Sequence, residues 1–192
     1  GTVALVNPGI ALGSNTEVQI TSNTGSSSTT KVSVYDYTAS KSGYLKFKIA
    51  FNGGTNGVYQ LSIGDGATFS DNTALSTSQT FAGVQWSLLT TNAVTYKVLN
   101  NTTWGTTGIS NSTDLFTQST SNVYNVEVYY NNTTSSVNYS RSGSTYSLTN
   151  ATWDLWVDGT RVGTGLAKGA LGADANIDSY AFNHQISASA PG

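Results

Sequence analysis

Apolar residues recur at every second position of this chain, in short runs that glycine, asparagine or serine soon interrupts. The clearest run is 44–52, where Leu45, Phe47, Ile49 and Phe51 share one face and Tyr44, Lys46, Lys48 and Ala50 the other. A period of two is the signature of a strand with one buried face. The turn Asn52-Gly53-Gly54-Thr55-Asn56-Gly57 predicts a return strand over 58–63, ended by Gly64-Asp65-Gly66. The same logic applies to Trp153–Val162. Trp153, Leu155 and Val157 face one way, Asp154, Trp156 and Asp158 the other, and Asp158-Gly159 supplies the positive φ of a type I′ turn.

Further strands are expected over 3–6, 17–20, 31–37, 81–88, 94–99, 123–130, 136–140, 145–148 and 176–182. No window sustains a 3.6-residue apolar period, so helix content is small. So many strands in 192 residues predict an all-β fold, a two-sheet antiparallel jelly-roll sandwich formed by residues 1–184. Residues 185–192, ending Ala-Ser-Ala-Pro-Gly, read as a linker toward a neighbouring domain of a longer chain.

Composition narrows the function classes. Charged residues make up 9% of the chain, against about 25% in an average soluble domain. Serine, threonine and asparagine keep the surface polar but uncharged, as expected of a secreted or cell-surface protein. A formal net charge of −2 offers no basic field for nucleic acid. No apolar run reaches the ~18 residues of a membrane-spanning helix. The absence of cysteine rules out disulfides and thiol catalysis. A monomer is expected.

The order strand, hairpin VDGTRVG, glycine-rich link and strand IDSYAF resembles the C-terminal part of a concanavalin A-like domain of the laminin-G and pentraxin type. In that superfamily a hairpin of the form "lyvdGvlvg" precedes the last core strand. The segment GYLKFKIAFNGG with VYQLSIGDG is similar to its early core strands. The resemblance implies a lectin- or glucanase-type jelly roll in an exported bacterial surface protein, and calcium is common among such relatives.

Catalysis has little to work with. Glycoside hydrolysis ordinarily needs two carboxyl groups about 5–5.5 Å or about 6.5–9.5 Å apart. The E-x-D-x-x-E motif of concanavalin A-like glucanases is missing, and the only glutamates are Glu17 and Glu127. A lyase or a Ser-His-Asp triad would depend on the lone His184, which reads as a solvated residue at a strand end. Asp174, Asn176 and Asp178 place three oxygen ligands at alternate positions, as a calcium site can use; the same residues also serve as turn and cap groups.

Aromatic residues are the stronger clue. Sugar rings stack on exposed indoles while amides and carboxylates bond their hydroxyls. Trp104 and Trp156, with Trp86 as a third candidate, are the expected stacking residues, and Asn101, Asp154 and Asp158 the polar partners. Each indole has a core alternative, and Trp153 reads as core outright. The expected function is a non-catalytic carbohydrate-binding or adhesive module for a polysaccharide or surface glycan, with calcium ordering its loops. A structural or protein-interaction spacer is the alternative, and a lyase or hydrolase the third.

Overall fold

The computed structural model describes residues 1–7, 9–13, 15–21, 29–54 and 57–185. Strands β1 (Thr2–Val6) and β2 (Glu17–Thr21) pair as a separate ribbon. Then come β3 (Thr29–Val34), β4 (Ser42–Ile49) and β5 (Val58–Gly64), followed by the single helical turn α1 (Ala67–Ser70). The chain continues through β6 (Thr80–Leu88), β7 (Ala93–Asn100), β8 (Thr103–Gly105), β9 (Phe116–Thr117) and β10 (Tyr124–Asn131). It ends with β11 (Val137–Arg141), β12 (Ser144–Leu148), β13 (Thr152–Val157), β14 (Thr160–Ala167) and β15 (Ser179–Gln185).

The larger sheet runs β3-β15-β5-β6-β7-β8, with β9 also on β7; the smaller runs β14-β13-β10-β4. Every strand pairing within them is antiparallel. The two inner faces close on one apolar core, with Phe47 of β4 against Phe182 of β15 at 5.0 Å and Phe81 of β6 against Tyr130 of β10 at 6.1 Å. The fold is therefore an all-β sandwich.

Alternation sets what enters that core. Val126, Val128 and Tyr130 of β10 point in, as do Trp153, Leu155 and Val157 of β13. Fully burying each such side chain contributes about 1.5–3 kcal/mol. The β13–β14 turn is left-handed at both central residues, Asp158 (φ 44°) and Gly159 (φ 83°), which is the type I′ hairpin the sequence predicted.

Two boundaries differ from expectation. The last strand starts at Ser179 rather than Asn176, because Ile177 is already engaged with Ser40 in an isolated bridge. Gln185, expected in the linker, belongs to β15, and residues 186–192 lie outside the described residues. No helix among the described residues is long and apolar enough to cross a membrane.

Candidate ligand-binding face

The outward residues of the smaller sheet form cross-strand rows. Lys46, Glu127, Trp156 and Arg161 lie side by side across β4, β10, β13 and β14, with Tyr44, Tyr129 and Asp154 in the next row. The β11–β12 hairpin folds over this face and seals it. Tyr139 stacks on Tyr129 at 3.9 Å, Tyr146 meets Trp156 edge-on at 5.0 Å, and Leu148 joins the cluster. The Trp156 Nε1–H donates to the Tyr139 hydroxyl at 2.9 Å, and the Arg141 guanidinium sits 4.3 Å above the indole.

Charges beneath the hairpin are paired. Asp154 accepts from the Tyr139 hydroxyl at 2.6 Å, from Arg161 at 3.3 Å and from the Gly165 backbone at 2.7 Å. Burial pushes Glu127 upward, but donors on Arg141, Tyr129 and Lys46 outweigh it and hold the carboxyl at about 2. Burial also raises the Tyr139 phenol, and its bond to Asp154 acts the same way.

Most expected stacking residues are thus closed off. Trp156 is 5% exposed under the hairpin, and Asp154 is buried beside it. Trp86 is fully buried on the inner face of β6, 5.7 Å from Phe51 and 6.2 Å from Phe116. Asp158 is an exposed turn residue whose Oδ1 accepts from the Asn125 backbone and side chain at 2.8 and 2.9 Å. Trp156 and Asp154 are neighbours, yet neither offers a free face.

Trp104 is different. It pairs with Leu99 on the outer face of the larger sheet, and its indole lies over Gly83 of β6: a Cβ at Gly83 would meet Trp104 Cη2 at 2.8 Å. Glycine at 83 is what lets the ring settle there. The indole remains half-buried, and Trp86, Trp153 and Trp156 are all buried. One row along, about 7 Å away by strand rise, Lys97, Gln85, Gln60 and Asn183 follow one another across β7, β6, β5 and β15. Asn183 is buried, and neither of its amide atoms has a partner among the described residues. Asn101 stands exposed in the β7–β8 turn (φ 52°), its backbone N–H held by the Lys168 carbonyl at 2.9 Å. Sequence reading missed Gln60, Gln85 and Asn183, since only strand register places them beside Trp104.

The remaining candidates do not assemble. Asp174 is drawn to Lys41 at 2.8 Å, Asn176 is exposed, and Asp178 accepts from the Ser179 hydroxyl at 2.7 Å. Among the described residues no three acidic or histidine side chains converge on a cation position. Glu17 is taken up by the N–H groups of Ile10, Ala11 and Leu12, which lower its pKa. His184, expected in solvent, is fully buried 4.7 Å from the Tyr59 ring, with neither ring nitrogen hydrogen-bonded among the described residues. It follows Tyr180 and Phe182 on the inward face of β15, opposite Tyr59 of β5, and that register places it inside the sandwich.

No known family model matches the chain, and no curated protein does. Among solved structures, a sialidase aligns at 15% identity over 81% of this chain and 10% of that one, with a TM-score of 0.48. So loose a superposition carries no conclusion about activity.

Proposed function

We propose that this chain is a non-catalytic module that binds neutral glycans on a concanavalin A-like sandwich, as part of an exported surface protein. The observation that carries the proposal is the half-exposed Trp104 indole resting on Gly83 of the larger sheet, one row from the Gln85 amide. The indole supplies an apolar platform for the C–H face of a sugar ring, and the half-buried Gln85 supplies a donor and an acceptor for its hydroxyls, with the buried Gln60 behind it. Lys97 and Asn101 border the platform on the β7–β8 side. Both glutamates are consumed by structural contacts, which favours binding over hydrolysis. Asp174 pairs with Lys41 and Asp178 accepts from Ser179, so the binding proposed here does not call on calcium.

Affinity electrophoresis in gels of neutral polysaccharides, preceded by a glycan array, tests this. The wild type is retarded by at least one neutral glycan, a chelator leaves the retardation unchanged, and W104A abolishes it while keeping the native circular dichroism. Retardation that survives in W104A, or none with any glycan, overturns the assignment and leaves a spacer role.

A further inference from the structure

The two sheets are unequal, and the mismatch leaves a gap at one edge. On the inner side Phe47 of β4 lies over Phe182 of β15. The larger sheet extends one strand further, to β3, whereas the smaller ends at β4. Among the described residues no strand pairs with the outer edge of β4. Three consequences are visible. Val34, inward-facing on β3 and paired with Tyr180, is 43% exposed. The inward residues Leu45, Phe47 and Ile49 of β4 are only partly buried. A cleft of about 340 Å³ opens between the two edges.

The cleft suits one kind of occupant. Val34, Tyr37, Leu45, Ile63, Tyr130 and Tyr180 line it, together with the edge residue Tyr44. None of these groups is charged. The Tyr37 and Tyr130 hydroxyls lie close enough to influence each other's ionisation, and burial raises both phenols. Along β4 alternate backbone N–H and C=O groups point away from β10, as on any edge strand. The outward side chains of β4 are Tyr44, Lys46 and Lys48. Lys46 is neutralised by Glu127 at 3.0 Å, whereas Lys48 lies opposite Asn125 and has no ion-pair partner among the described residues.

We propose that the free edge of β4 and the adjoining cleft accept an extended peptide segment of a partner protein as a fifth strand of the smaller sheet. Its backbone pairs with β4, its apolar residues at alternate positions fill the cleft beside Val34 and Leu45, and an acidic residue on its outer face meets Lys48. Strand addition of this kind draws affinity from main-chain hydrogen bonds and selectivity from the alternate side-chain pockets.

The test uses the whole chain and two nonapeptides, one alternating valine with glutamate and one alternating valine with lysine. Calorimetry is expected to show saturable one-to-one binding of the glutamate peptide. Hydrogen exchange is expected to show new protection at alternate amides of β4 and none at β8. K48E weakens that binding about five- to tenfold, from a cross-strand attraction turned to repulsion. V34K, at an exposed position the fold tolerates, abolishes it. The lysine peptide binds at least about tenfold more weakly. Binding without β4 protection, or binding indifferent to V34K, overturns the proposal. So does concentration-dependent dimerisation with the same protection, which assigns the edge to a second copy, or occupation of the cleft by a glycan. Glycan retardation through Trp104 is a separate readout, so either result can fail alone.

Discussion

Single residues show how far local pattern and true environment diverge. Trp86 and Trp153 are both fully buried, but the Trp153 indole N–H donates to the Ala167 carbonyl at 3.0 Å while that of Trp86 has no acceptor among the described residues. Burying an unpaired donor is costly, and losing a made bond removes about 1 kcal/mol. W86F is therefore expected to cost less stability than W153F by about that amount in urea denaturation, despite the same change in volume. Equal costs would mean the Trp86 N–H finds a partner in solution. Glu127 supplies a second case. Its partners Arg141 and Lys46 lie at 2.7 and 3.0 Å. E127Q leaves both cations facing a neutral amide in a half-covered site, at an expected loss of about 2–3 kcal/mol.

At the scale of elements, the β11–β12 hairpin decides the character of the smaller sheet. Its Tyr139 both stacks on Tyr129 and bonds Trp156 and Asp154. Removing that ring in Y139A opens the outer face, so the tryptophan emission shifts to longer wavelength and acrylamide quenches it more strongly. Unchanged quenching would show that the hairpin does not shield Trp156. The β13–β14 turn is the other decisive element. Gly159 sits at φ 83°, and G159A forces a side chain into that left-handed position, costing about 1–2 kcal/mol. In the same hairpin Asp158 at φ 44° is tolerated because its side chain is anchored on Asn125.

The whole molecule has a pH profile with two separate descents. Burial holds His184 below the usual histidine range, and the N-terminal amine of Gly1 acts in the same direction. Once unfolded, the ring binds a proton near pH ~6.5. The unfolded state therefore gains protons first, and stability declines as pH drops below ~6.5. Glu127 behaves as a depressed carboxyl: its contribution is complete above its ordinary value of 4.5 and disappears as pH falls toward about 2. Asp65, raised by burial and by neighbouring Asp178, works weakly against that second descent. Thermal melts from pH 8 to 2 should show both, and H184F should flatten the first alone. A first descent that persists in H184F belongs to another group. The all-β class, the inward faces of β10 and β13 and the type I′ turn were legible in the chain itself. They rest on side-chain alternation and on the φ preference of Asp-Gly, which act over neighbouring residues. Which outward indole keeps a free face was not legible. Trp156 and Trp104 look alike along the chain, yet a hairpin closing over one and a glycine beneath the other separate them. The burial of His184 and the gap beside β4 arise the same way, from how many strands each sheet contributes and where the sheets overlap, and only packing between distant segments decides that.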